Sequence, residues 1–182
     1  PNGAMFVLDE NKERVRAVEG KTPGSHPDTR LIEPLVIRAN VGDIVEITLH
    51  NELKRGGKPV KHHCSMHQTG LPYEVATSDG MAVGYNPDTT VAPGETVTYR
   101  WYADRVGTFF FHDGATPAFN TVVDDNPENV NGFARGLYGA LVVEPEGATW
   151  TDPRTGGELP SGCRADVHVP GGTDHREFVI FY

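Results

Sequence analysis

The sequence has little cysteine, few cations and no long apolar run, and each shortage argues against a class of protein. Only two of its 182 residues are cysteine, Cys64 and Cys163, which is too few for a disulfide scaffold. Sixteen basic residues against 25 acidic ones give a formal net charge of −9, which argues against nucleic acid or an anionic membrane as a partner. No apolar run approaches the roughly 20 residues that span a bilayer, so no membrane partner is expected.

The two cysteines leave two alternatives open. One bridge would close a long loop and suit a secreted protein, and two free thiols are nearly as compatible with the sequence; we favour the bridge. No signal peptide is visible and the chain starts at Pro1. We therefore expect a processed or truncated product of a secreted or otherwise extracytoplasmic protein.

Glycine and proline are plentiful, at 21 and 14 residues, which predicts many short strands and turns in place of long helices. Val45, Ile47 and Leu49 alternate with polar neighbours, as in a half-buried strand, and residues 96–102 repeat the pattern. The length favours one large domain over two small ones. Short strands separated by turns predict an all-β protein, either an antiparallel sandwich or a barrel.

The composition also suggests how the chain is divided. We predict an N-terminal extension and first strand over 1–30, a main domain over 31–147 and a linker rich in proline and glycine over 148–175. The apolar strand over 176–182 is expected to be the truncated start of a second domain, or else a strand that pairs with another chain. Within the main domain, residues 121–131 (TVVDDNPENVN) are acidic and are interpreted as a solvent-exposed loop.

Two segments, CSMHQTG and FFFHDG, each place one histidine on a predicted strand. A His-x-His pair on a strand would aim two imidazoles at the same face, because alternate side chains share a face. Here His67 is followed two residues later by Thr69, and His112 is followed by Gly114. Each segment therefore looks like half of a metal motif with one histidine missing.

The order of these segments resembles the N-terminal cupredoxin domain of multicopper oxidases, the laccase and ceruloplasmin relatives. The matching pieces occur in the family's order: 34–43 (PLVIRANVGD), 45–51 (VEITLHN), 66–70 (MHQTG), 78–80 (SDG), 91–101 (VAPGETVTYRW), 106–113 (VGTFFFHD) and 136–145 (GLYGALVVEP). Together they cover roughly residues 31 to 145. The resemblance implies a cupredoxin-like Greek-key β-sandwich.

In this family the first domain supplies a His-x-His-Gly and a His-x-His motif, whose imidazoles form half of a three-copper cluster. By resemblance, His67 matches the first position of the first motif, which faces the type 2 copper, and His112 matches the first position of the second. Thr69 and Gly114 stand where further ligands are expected, and neither is a good substitute for imidazole. Copper is thus the expected cofactor, with His67 and His112 as its ligands. Asp79 is expected to orient a histidine or a water molecule through a hydrogen bond.

The resemblance leaves more than one function open. The first is part of a multicopper oxidase, contributing to a copper site that reduces dioxygen while a small reducing substrate loses single electrons. The substrate-oxidising copper would then lie in a further cupredoxin domain or another subunit. The alternative is a copper-free cupredoxin domain with a structural or partner-binding role, in which the two histidines persist as packed, hydrogen-bonded side chains. A mononuclear metal-binding module is a third hypothesis.

Overall fold

The computed structural model describes residues 3–55, 58–59, 62–115 and 132–182, and most of its regular structure is β. The strands are β1 (Leu35–Asn40), β2 (Ile44–His50), β3 (Lys54–Arg55), β4 (Lys58–Pro59), β5 (His67–Gln68), β6 (Thr96–Tyr102), β7 (Gly107–His112), β8 (Tyr138–Glu144), β9 (Thr149–Thr151), β10 (Arg164–His168) and β11 (His175–Phe178). The helices are α1 (Lys12–Ala17) and α2 (Val75–Ser78), with 3-10 turns at Asp9–Asn11, Pro27–Leu31 and Phe133–Arg135. The all-β prediction is confirmed.

Two sheets form the sandwich. One has the strand order β1-β8-β7-β5, and the other pairs β2 with β6. Successive strands alternate between the two sheets from β1 to β7, apart from the short β3–β4 hairpin, so the connections cross as a Greek-key sandwich requires. β1 runs parallel to β8, whereas β7 runs antiparallel to β8 and β5. This crossing order carries β5 and β7 to neighbouring positions at one side of the larger sheet.

The core lies between these sheets. The predicted alternation holds, because Tyr99 and Trp101 of β6 are fully buried while their neighbours on the strand face outward. Phe111 of β7 and Leu141 of β8 meet them from the larger sheet, and the Trp101 and Phe111 ring centroids are 5.7 Å apart. Aromatic rings of this size bury enough apolar area to dominate the packing of a small sandwich.

The stretch predicted as a linker, 148–175, contains strands β9 and β10, which form a three-stranded sheet with β11. Ala165 and Val167 of β10 are fully buried and pack with Leu159 in a second small core. The glycines and prolines that suggested a linker lie largely in the turns that connect these short strands. The division of the chain into domains stays a prediction.

The described part of the N-terminal extension holds α1 and two 3-10 turns where a first strand was expected. The six residues of α1 are too few to show a sustained helical period, which is why the sequence pattern missed it. Lys12 and Arg16 of α1 both bond to Glu52, which fixes the helix beside the end of β2. The acidic stretch 121–131 lies outside the described residues. Among the described residues, no helix is both long and apolar enough to cross a membrane.

Both cysteines are free, so the predicted bridge is wrong. Cys64 is buried in the sandwich core, whereas Cys163 lies in the turn before β10, and its thiol contacts the carbonyl oxygen of Pro34. Burial raises the pKa of Cys64 to about 12 and that of Cys163 to about 11. At pH 8, a thiol with a pKa of about 11 is ionised in roughly one molecule in a thousand.

We therefore expect the native protein to react with iodoacetamide at pH 8 at least about a hundredfold more slowly than free cysteine does. Cys163 should be labelled first, because Cys64 has almost no solvent contact. Intact-mass spectrometry over time, with a sample unfolded in urea as the control, would measure both reactions. Labelling of Cys64 in the native state at the rate of the unfolded control would contradict this prediction.

Candidate metal centre

His67 and His112 lie directly opposite each other on the antiparallel strands β5 and β7. Their ring centroids are 5.5 Å apart with an interplanar angle of 67°, and both side chains are half-buried. Residues that face each other across an antiparallel pair bring their side chains to the same face of the sheet. The two histidines named from the sequence are therefore brought together by strand pairing.

Both imidazoles are oriented by backbone carbonyl groups. The Nδ1 atom of His67 lies 2.6 Å from the carbonyl oxygen of Asp79, and that of His112 lies 2.9 Å from the carbonyl oxygen of Asp113. A carbonyl oxygen only accepts, so each Nδ1 carries the hydrogen and donates it. This tautomer leaves the lone pair of each Nε2 free, which is the arrangement in which a neutral imidazole binds a metal.

Asp79 lies beside His67, although the hydrogen bond to the ring comes from its main chain. Its carboxylate accepts hydrogen bonds from the Tyr73 hydroxyl at 2.9 Å and from the Asn86 amide at 3.2 Å, while Oδ1 is 3.6 Å from His67 Nδ1. Burial and the hydrogen bond to Asp79 raise the pKa of Tyr73 to about 12, so this hydroxyl stays protonated as a donor. The carboxylate thus holds in place the segment whose carbonyl orients His67. A role for Asp79 toward a metal stays a prediction.

The two positions that lack histidine differ in the space around them. Thr69 is exposed, and its hydroxyl bonds to the carbonyl oxygen of Phe110. Gly114 is enclosed, because a Cβ added there would lie 2.5 Å from the carbonyl oxygen of Gly80 and closer still to Met81 Sδ. The chain therefore offers two imidazoles where a full pair of motifs would offer four, and only position 69 has room for another.

The sequence analysis gave no role to Ser65 or Met81, and both lie next to this pair. The Ser65 hydroxyl accepts from the Gly114 amide at 2.8 Å and donates to the Gly80 carbonyl at 2.6 Å, which ties the end of β7 to the loop after α2. Met81 follows in that loop and forms an isolated bridge with Gly114. The sequence did hold a signal that Met81 lies near the site, because Met81 directly follows the SDG segment of the family resemblance.

Aromatic rings surround His112 on the outer side of the larger sheet. The centroids of Phe110 and Phe133 lie 5.5 Å and 5.3 Å from that of His112. Phe133 remains 45% exposed. The His112 ring thus contacts two aromatic rings as well as the His67 imidazole.

A second group of possible ligands lies at the other end of the sheet. One donor atom each from Glu144, His175 and Glu177 falls within 4.8 Å of the others. Both carboxylates are already bonded to the fully buried Arg38 guanidinium, at 3.2 Å and 2.9 Å. The Arg38 guanidinium therefore already supplies the positive charge that these two carboxylates bind. The pKa of Glu144 is raised, first by burial and then by the negative charge of Glu177.

The sequence was compared with known proteins. The profile of the multicopper oxidase family matches residues 4–148. L-ascorbate oxidase from Cucumis sativus is 32% identical over 133 residues, which is 72% of this chain and 17% of the enzyme. L-ascorbate oxidase from Cucurbita maxima is 31% identical over 143 residues, which is 78% of this chain and 19% of the enzyme. The chain therefore spans less than a fifth of the length of these curated relatives.

Among solved structures, copper nitrite reductase from Nitrosomonas europaea is 28% identical to this chain, with a TM-score of 0.43. The match covers 63% of this chain and 31% of the reductase chain. At that TM-score the structural likeness carries no weight, and the assignment rests on the sequence match. As the name states, the family binds copper. The matched range contains both sheets of the sandwich and both histidines. The chain belongs to the multicopper oxidase family, of which it forms a cupredoxin domain.

Proposed function

We propose that this chain is the N-terminal cupredoxin domain of a multicopper oxidase and that His67 and His112 bind copper in a site that reduces dioxygen. The rest of the enzyme would supply the electrons, one at a time, from a small reducing substrate. One observation carries the proposal: the two imidazoles face each other across β5 and β7, and each Nδ1 is bonded to a carbonyl oxygen, so the Nε2 of each neutral ring keeps its lone pair. An extracytoplasmic location belongs to the same proposal.

The residues present fit copper in part. Imidazole nitrogen is a good copper ligand, and two are available with their tautomers fixed. Thr69 and Gly114 do not fit the pattern of a complete three-copper cluster, so the site proposed here is an altered one. When bound, copper would supply one-electron redox chemistry and a place for dioxygen. The carbonyl groups of Asp79 and Asp113 bond to Nδ1 of the two rings, which fixes the tautomer that binds a metal through Nε2.

The ascorbate oxidases are named for oxidising a small reductant, and a substrate of that class is what we propose for the whole protein. Its site of oxidation, with a copper of its own, is assigned to a further cupredoxin domain or to another subunit. The acidic character of the chain suits an uncharged or cationic reductant better than a strongly anionic one.

The copper-free domain remains the second candidate, and one observation favours it. Position 114 is closed to any side chain by Gly80 and Met81, so the second motif cannot be completed by a single substitution. In that case His112 would serve as a packed ring between Phe110 and Phe133. Copper binding distinguishes the two candidates.

We expect the copper-loaded protein to keep about one copper per chain through gel filtration, and His67→Ala or His112→Ala to lose it, because each variant removes one of two fixed imidazoles. Elemental analysis measures the copper, and circular dichroism checks the fold. His168→Ala is the matched control, since His168 is exposed on β10 and bonds to Asp174. Absence of copper in the folded parent, or copper unaffected by both substitutions, would contradict the proposal.

A further inference from the structure

Met81 occupies the place of the side chain that Gly114 lacks. Residue 114 lies two positions after His112, so a side chain there would share its face of the strand. A Cβ built on Gly114 lies 3.3 Å from the Cβ of His67 and is in collision with the Met81 sulfur. The thioether therefore sits beside the imidazole pair, in the volume where the family motif would place another ligand.

The loop that carries Met81 is fixed on both sides. The amide of Ala82 donates to the Gly114 carbonyl at 3.1 Å, and the Gly80 amide donates to the Thr89 hydroxyl at 2.8 Å. Gly80 has φ +67°, and a Cβ there would collide with the carbonyl group of Met66, so only glycine fits. The backbone on either side of Met81 is thus fixed, which places the Met81 side chain beside Gly114 and His67.

Packing does not account for this methionine. Met66 is 1% exposed and belongs to the sandwich core, whereas Met81 is half-buried and is not among the core residues of the described chain. Methionine has a polarisable thioether sulfur, which suits soft metals as well as irregular gaps. The half-buried Met81 sulfur and the two imidazoles, whose Nδ1 atoms are bonded to carbonyl groups, together offer a set of donors for a metal.

We propose that His67, His112 and Met81 form one mononuclear site that prefers copper(I) to copper(II) and zinc. The inference rests on the proposed function and specifies the oxidation state that the altered site holds. All three donors are neutral, and the neighbouring Asp79 carboxylate is already bonded to Tyr73 and Asn86. Neutral, soft donors match a monovalent soft cation, because thioethers select copper(I) whereas carboxylates suit harder ions.

The test is Met81→Leu, which removes the sulfur while keeping a similar side-chain volume. We expect copper(I) affinity, measured anaerobically against a chromophoric copper(I) chelator, to fall about tenfold or more, with zinc affinity unchanged. Met5→Leu is the matched control, because Met5 is also half-buried but lies on the N-terminal segment. X-ray absorption of the copper(I)-loaded parent should show one sulfur neighbour that Met81→Leu lacks.

The outcomes separate this inference from the proposed function. In one outcome, copper(I) binding requires His67, Met81→Leu binds copper(I) as tightly as the parent, and the parent shows no sulfur neighbour. That result would overturn the role of Met81 and leave the histidine site standing. Copper(I) binding unaffected by His67→Ala would overturn the proposed function, and the three-donor site with it. A folded parent that binds no copper(I) would likewise overturn both.

Discussion

Gly114→His is expected to destabilise the folded protein by about 3 kcal/mol or more, although it restores a residue of the family motif. The cause is steric, because the first atom of any side chain at position 114 meets the Gly80 carbonyl and the Met81 sulfur. Gly80 cannot move away easily, since it is held by Ser65 and Thr89. Thr69→His should cost less than about 1 kcal/mol, because position 69 faces solvent.

Urea unfolding of the two variants and the parent, followed by circular dichroism, measures the difference. Gly114→Ala is a useful intermediate, since the collision begins at the Cβ and should already appear there. Equal stability of the two histidine variants would contradict the steric explanation. Copper loading of Thr69→His is a separate measurement, and it shows whether a third imidazole at position 69 can bind the same copper.

Glu144→Ala is expected to lower the free energy of unfolding by about 3 kcal/mol, the low end of the range for breaking one partner of a buried ion pair, because Glu177 still pairs with Arg38. The Arg38 side chain has no exposed surface, and among the described residues its Nε atom has no hydrogen-bond partner. Loss of Glu144 would leave this guanidinium with Glu177 as its remaining carboxylate partner. The cost therefore arises from the buried charge that remains after the substitution.

Glu46→Ala is the matched control, since it breaks an ion pair with Arg100 in which both side chains are more than half exposed. That change should cost less than about 1 kcal/mol. The double variant Arg38→Met/Glu144→Leu should recover part of the lost stability, because it removes both members of the buried pair and leaves only Glu177, whose side chain is 23% exposed, without Arg38. Urea unfolding at pH 7 measures all three, and similar losses for Glu144→Ala and Glu46→Ala would show that the buried pair has no special weight.

The sequence predicts the sandwich well because its strands carry strong local signals. The apolar side chains of β2 and β6 alternate along each strand, and that alternation is a property of each segment by itself. The small sheet of β9, β10 and β11 was missed, because its short strands are separated by glycine and proline turns that resemble a linker. α1 was missed as well, since its six residues are too few to show a sustained helical period.

The site shows the same division between local and long-range information. His67 and His112 follow from the motif resemblance, and their pairing follows from adjacent strands. The space around Gly114 cannot be predicted from the sequence in this way, because it depends on how closely the loop after α2 approaches the end of β7. The orientation of His67 by the carbonyl group of Asp79, in place of its carboxylate, likewise depends on a backbone path that no pattern of side chains encodes.

The central position of β8 has a consequence for how the protein is made. Within the described part of the chain β1 pairs with β8 alone, and Leu35 lies opposite Gly139, so about a hundred residues must be synthesised before that pairing begins. Until then β1 and one edge of β7 expose unpaired backbone groups on the nascent chain, and such edges promote association between chains. A chain that ends before residue 138 would be aggregation-prone for this reason. During synthesis, chaperone demand should be highest just before β8 leaves the exit tunnel.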